Sequence, residues 1–185
     1  MFKYEKILNY PVEIKNKDLK MAKLIAAQLG GYAGELGAAL RYFSQKFEMP
    51  DDEGKALLND IATEELGHVE MISSILNGLM KDASLKELEE AGLSGYYVEH
   101  GKGIYPVSAT NIPFDALTFA VTGDPIADLE EDLAAEEKAR VNYEHIIDYA
   151  KTDDLLAPLL FLRQREIVHY NRFKELLDRY KKELK

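Results

Sequence analysis

The sequence predicts an all-α protein, a four-helix bundle of two antiparallel hairpins with a long crossover between helices 2 and 3. Three observations lead there. Four long segments carry apolar residues at helical spacing. Their connections run short, long, short, as two hairpins joined by a crossover require. No run has the pattern of a strand. At 185 residues the chain is expected to form one domain, 1–185, with an irregular N-terminal arm over 1–18 and a crossover over about 80–123.

The first helix is expected from roughly Leu19 to Lys46, marked by Ala22, Leu24, Ala26, Leu29, Leu36 and Ala39. It contains Gly30, Gly31, Gly34 and Gly37, each costing about 0.5–1 kcal/mol against alanine in a helix interior. Propensity alone would break the helix there. The ligand pattern below favours instead a continuous helix whose backbone is closely approached around Glu35. The second helix, from about Glu53 to Leu79, follows Pro50-Asp51-Asp52, which offers an N-cap. The third opens at Asp124-Pro125, with Asp capping and Pro at the first helical position, and runs to about Tyr149. The fourth starts near Asp153-Asp154 and runs almost to the C-terminus. Pro158 is placed in its first turn or so, where a backbone N–H has no helical partner to lose.

Composition excludes several chemistries. Cysteine is absent, so a disulfide scaffold, a thiolate metal site and a Cys nucleophile are all ruled out. The net charge of −10, from 33 acidic and 23 basic residues, lacks the basic footprint that nucleic acid or an anionic membrane needs, and neither is expected as a partner. The N-terminus has no apolar core of a secretory signal, and no apolar run reaches the about 20 residues that cross a bilayer. A cytoplasmic, non-secreted protein is expected. Only four histidines occur, His68, His100, His145 and His169.

Two of these histidines recur in one pattern. Glu65 stands three residues before His68, and Glu166 three before His169. On a helix such residues share a face, so each pair offers a carboxylate and an imidazole to one point. A single pair is weak evidence, because Glu is common here. The wider spacing strengthens it. Glu35 lies 30 residues before Glu65, and Glu136 lies 30 before Glu166. The two halves repeat at an offset of 101 residues at Glu35/Glu136, Glu65/Glu166, His68/His169 and Tyr42/Tyr143.

Two hairpins related by a pseudo-twofold axis would turn four carboxylates and two imidazoles inward at one level, the ligand plan of carboxylate-bridged dimetal sites. Four carboxylates could not be buried without counter-ions, and two divalent cations neutralise them. Apolar flanks such as Ile61-Ala62, Met71-Ile72 and Ile167-Val168 argue against solvent-facing positions. His100 and His145 are expected as surface or outer-layer residues. Glu64, Glu137 and the Glu130-Glu131-Asp132 run read as solvated faces, and Asp18 carries no signal. Oxygen and imidazole donors suit manganese and iron equally.

Beyond spacing, the chain resembles the non-haem manganese catalases, ferritin-like proteins, and in particular their short form found among bacterial spore-coat proteins. The resemblance covers nearly the whole chain. It rests on Tyr10-Pro-Val12, Leu29-Gly-Gly-Tyr-Ala-Gly-Glu-Leu36, Ala62-Thr-Glu-Glu-Leu-Gly-His-Val-Glu70, Thr122-Gly-Asp-Pro-Ile-Ala-Asp-Leu129, Ala134-Ala-Glu-Glu-Lys-Ala-Arg140 and Arg165-Glu-Ile-Val-His169. It implies disproportionation of hydrogen peroxide to water and dioxygen at two manganese ions that alternate between divalent and trivalent states. It implies Glu35 and His68 on one ion, Glu136 and His169 on the other, and Glu65 bridging. Glu166 is implied to stay off the metals as a catalytic hydrogen-bonding or proton-transfer group, whereas symmetry alone would make it a ligand. Tyr42 is expected to support the ligands, and Tyr143 follows it by symmetry. The resemblance also implies a homo-hexamer and residence in a spore coat among other coat proteins.

Two other readings share the bundle. One is a di-iron peroxidase or ferroxidase of ferritin type, weakened by the lack of any cysteine for a rubredoxin-like donor. The other is a structural coat protein whose metal site only stabilises it.

Overall fold

The computed structural model describes Lys3, Glu5 and residues 7–184; Met1, Phe2, Tyr4 and Lys6 of the expected arm lie outside the described residues. Seven α-helices occur among the described residues: α1 Leu19–Gly30, α2 Glu35–Gln45, α3 Asp52–Leu79, α4 Leu85–Glu90, α5 Ser94–His100, α6 Pro125–Ile147 and α7 Asp153–Glu183. No strand is present among them, only one isolated bridge between Val107 and Pro113. None of these helices is long and apolar enough to cross a membrane.

Local chemistry sets the helix starts. Asp18, read as carrying no signal, caps α1, its carboxylate accepting from the Lys20 and Met21 amides at 3.1 and 3.0 Å. Asp51 caps α3 through the Gly54 amide at 2.8 Å. Asp124 caps α6 with Pro125 at the first position, as expected. Pro158 is the sixth residue of α7, far enough inside the helix that its N–H would have had a partner, so its absence removes one ladder bond.

The expected continuous first helix is instead broken between Gly30 and Glu35. The glycine propensity prevails there, and close approach explains why these positions are glycine. A Cβ on Gly30 would lie 2.3 Å from the Pro106 carbonyl carbon, because the crossover backbone rests on α1 there. One on Gly34 would lie 2.9 Å from the Ala27 oxygen. The break makes Glu35 the first residue of α2, where the amide-rich helix start favours a carboxylate.

Broken helix α1–α2, α3, α6 and α7 form the bundle, with α2 packed on α3 and α6 on α7. Its core is two apolar clusters. Leu29, Met71, Ile72, Ile75, Tyr143, Leu159 and Leu162 belong to one. Tyr42, Leu58, Ile61, Ala62, Leu129, Phe173 and Tyr180 belong to the other. Along α3 the chain passes from the second cluster to the first, along α7 the reverse, so each helix crosses the gap between them once. Glu65, His68, Glu136, Glu166 and His169 fall in that gap. Because α6 runs parallel to α3, the crossover must return the length of the bundle. It is not wholly irregular: α4 and α5 lie within it, and Leu88, Leu93, Tyr96 and Val107 join the first cluster.

Candidate metal centre

Four elements deliver the six residues that the repeat singled out. Glu35 opens α2, Glu65 and His68 share one face of α3, Glu136 lies on α6, and Glu166 and His169 share one face of α7. All six are at most 2% exposed. Glu65 is central. Its Oε2 lies 2.6 Å from His68 Nδ1 and its Oε1 lies 2.8 Å from His169 Nδ1. His68 Nδ1 is also 3.5 Å from Glu35 Oε2, and His169 Nδ1 is 3.6 Å from Glu136 Oε2. The two imidazole rings lie nearly parallel, with centroids 5.7 Å apart.

Two overlapping donor groups result. Glu35, Glu65, His68 and Glu166 offer ligand atoms within 4.8 Å of one another, and so do Glu65, Glu136, Glu166 and His169. Glu166 therefore belongs to both groups in space. A metal fits this donor set. Glu65 Oε1, Glu136 Oε2, Glu166 Oε1 and His169 Nδ1 are buried without a hydrogen-bond partner, a cost that cation binding removes. Oxygen and imidazole donors together suit a divalent transition metal.

The electrostatics describe carboxylates crowded together away from water. Burial, then the charge of Glu65, pushes Glu35 up to about 8. Burial likewise raises Glu136, and raises Glu166 far above the carboxylate range, helped by the charges of Glu35, Glu65 and Glu136. Glu65 behaves differently. Burial disfavours its charge, but His169 and His68 outweigh that and hold it well below the usual range. Burial disfavours protonation of both histidines, yet Glu65 and its neighbours raise them.

Two tyrosines tie the helices crosswise. Tyr42 on α2 donates to Glu136 on α6 at 2.5 Å, and Tyr143 on α6 donates to Glu35 on α2. Tyr143, which only symmetry suggested, thus has the same relation to its carboxylate as Tyr42.

Glu64 is not on a solvated face. It is 5% exposed, and it reaches behind both imidazoles, with Oε1 3.7 Å from His68 Nε2 and Oε2 3.2 Å from His169 Nε2. Arg165 grips it, Nε to Oε1 at 2.6 Å and Nη2 to Oε2 at 3.3 Å. Burial again opposes ionisation of Glu64, but His169, His68 and Arg165 hold it well below the ordinary range. The repeat held a signal for this pair, since 64 and 165 differ by 101 and each stands four residues before a repeated histidine. Asp132 also departs from the solvated reading: it is fully buried one turn before Glu136, and burial pushes its carboxyl far up. The rest of the acidic run and Glu137 stay at least partly exposed, as does His145, while His100 stacks on Tyr105 in the crossover.

A constriction of about 10 Å³ reaches Glu35, Glu136 and Glu166 from the side, between α2 and α6. It shares Tyr32, Ala33, Arg41 and Ala135 with a cavity of about 230 Å³ that extends to Thr118, Glu131 and Lys138. A larger cavity of about 470 Å³ lies between α1, the crossover and α6, but none of the six donors lines it.

Comparison with known proteins points to one family. Residues 1–184 match the family described as manganese containing catalase. The chain is 47% identical over 183 residues to protein CotJC of Bacillus subtilis, spanning 99% of this chain and 96% of that one. It is 36% identical over 185 residues to a probable manganese catalase of Clostridium acetobutylicum, spanning 99% and 82%. The fold is similar to the crystal structure of KatB, a manganese catalase from Anabaena PCC7120. The TM-score is 0.85 at 29% identity, covering 96% of this chain and 80% of that one. With the match running the length of the chain and the fold agreeing, the protein belongs to the manganese-containing catalase family.

Proposed function

We propose that the protein disproportionates hydrogen peroxide, two molecules giving two of water and one of dioxygen, at a buried pair of manganese ions. The observation that carries this reading is the pair of overlapping donor groups sharing Glu65 and Glu166, set in a chain of the manganese catalase family. Glu35 and His68 would hold one ion, Glu136 and His169 the other, with one oxygen of Glu65 directed to each. When bound, the two ions supply a couple that takes two electrons from one peroxide and returns two to another.

The protein's own groups do the rest. Tyr42 and Tyr143 orient Glu136 and Glu35. Glu166 lines the constriction beside Glu35 and Glu136, and in the metal-free site burial and those carboxylates favour its protonated form; a carboxyl placed there can hold a proton and pass it to a departing oxygen. The apolar clusters on both sides keep bulk water from the layer. Peroxide is neutral, so the −10 charge has no part in drawing it in.

We also propose that residues 1–185 form one domain, that the subunits assemble as a hexamer, and that the protein resides in a spore coat. Similarity to the short spore-coat form and the 47% identity to CotJC support this placement.

Elemental analysis of the purified protein beside an oxygen-electrode assay tests the function. Two manganese per chain, with oxygen released from peroxide without added reductant, are expected. Iron with reductant-dependent peroxide loss would favour the di-iron reading, and no transition metal at all would overturn the proposal.

A further inference from the structure

We infer that Glu64 is a positioning residue shared by both halves of the site: one carboxylate, clamped by Arg165, that takes the Nε2 protons of His68 and His169 together. This rests on the dimanganese reading above.

Both rings turn Nδ1 toward Glu65, His68 at 2.6 Å and His169 at 2.8 Å. A neutral imidazole that gives Nδ1 to a cation carries its proton on Nε2, and that proton needs an acceptor. Both Nε2 atoms are buried and have no aligned hydrogen-bond partner among the described residues. The carboxylate nearest both is Glu64: its Oε2 lies 3.2 Å from His169 Nε2, within hydrogen-bond length, and its Oε1 lies 3.7 Å from His68 Nε2, a charge contact just beyond that length.

Each oxygen thus faces a different ring, much as each oxygen of Glu65 faces a different Nδ1. The two imidazoles lie between two carboxylates that are neighbours in sequence. Arg165 fixes the plane of the outer carboxylate through a two-point contact. A metal-binding histidine usually gives its other ring N–H to a carboxylate, carbonyl or water. Here one acceptor serves two, so displacing it changes the orientation and basicity of both ligands at once.

A plain ion pair between α3 and α7 would predict something else. Breaking it from either end would have the same effect, mainly on unfolding. A shared acceptor predicts that the two ends are unequal and that both ions respond.

The test loads wild type, Glu64→Gln and Arg165→Gln with manganese. It measures the affinity of each ion by competition with a chelator and records the electron paramagnetic resonance spectrum of the loaded pair. In Glu64→Gln the amide cannot accept from both rings. Both ions are expected to bind about 10- to 100-fold more weakly, with a changed spectrum. The metal-free variant should still unfold in one cooperative step. Arg165→Gln should weaken binding less than Glu64→Gln does.

Wild-type affinity and spectrum in Glu64→Gln would overturn the inference. So would weakening of one ion alone, or an equal effect from Arg165→Gln. Should Glu64→Gln not fold, Glu64→Asp keeps the charge but draws the carboxylate back from the rings. The same loss at both ions is then expected, and wild-type binding overturns the inference. Failure of wild type to bind manganese would instead overturn the functional reading itself.

Discussion

Tyr42 on α2 donates its hydroxyl to Glu136 Oε1 on α6 at 2.5 Å. Its repeat partner Tyr143 does the same from α6 to Glu35 on α2. Each hairpin therefore steadies a carboxylate belonging to the other. Tyr42→Phe keeps the ring on Phe173 but frees Glu136 to turn. It is expected to weaken manganese binding about tenfold or more, chiefly at the ion held by Glu136 and His169. Tyr143→Phe should do so at the other ion. Chelator competition on both variants checks this.

Glu65 has the largest predicted effect, because its two oxygens face both imidazoles. Glu65→Gln removes the negative charge that offsets both ions. It should leave less than one manganese per chain and bring oxygen release down to the uncatalysed background. His68→Ala should lose the same activity through one ion. Normal turnover in either variant would falsify the ligand assignment.

The pH response should reverse on metal loading. Burial and Glu65 raise Glu35 to about 8, so the folded metal-free protein keeps a proton that the unfolded chain gives up near pH 4.3. Glu35 thus contributes stability that is fully present at low pH and lost as pH rises toward about 8. His68 and His169, also raised, act in the same direction above about pH 6.5. The unfolding midpoint of metal-free protein should fall as pH rises from about 4.3 to 8, most steeply once the histidines join above about 6.5, and Glu35→Gln should flatten that slope. Manganese must displace the Glu35 proton, so its affinity should rise over the same interval. Thermal melts and titration calorimetry in buffers of different ionisation enthalpy measure both trends.

Asp132 offers a gain in stability. Its carboxyl is fully buried, and burial holds its pKa far above the usual range. Ionising it when folded is unfavourable, so it weakens the fold increasingly as pH rises above about 4. Asp132→Asn should raise the metal-free midpoint at pH 8, by about 2–4 °C per kcal/mol recovered. It should change little near pH 4. A lower midpoint at pH 8 would mean that Gln45 and Arg41 need the charge.

The parts of the fold written in repeating patterns were readable from sequence. Helix spacing placed four long elements, Asp124-Pro125 fixed the start of α6, and the 101-residue offset picked out six residues that share one layer. What was hidden depends on tertiary contact. The glycine run itself signalled the break after Gly30; what it did not show is the crossover backbone that lies against Gly30 and leaves no room there for a Cβ. Glu64 sits beside Glu65 and looks like ordinary helix surface until α7 brings His169 and Arg165 against it. Asp132 was masked in the same way by the exposed acids around it.

Glu64 and Arg165 occupy equivalent positions in the two hairpins. Two separate copies of one hairpin, meeting about the same axis, would set Glu against Glu or Arg against Arg there. The first adds a second buried anion and the second a cation beside the rings. Covalent linkage of two unlike halves escapes that choice. The chain keeps the near-symmetry that its two ions need and departs from it at one pair of opposite charges, which a symmetric homodimer could not provide.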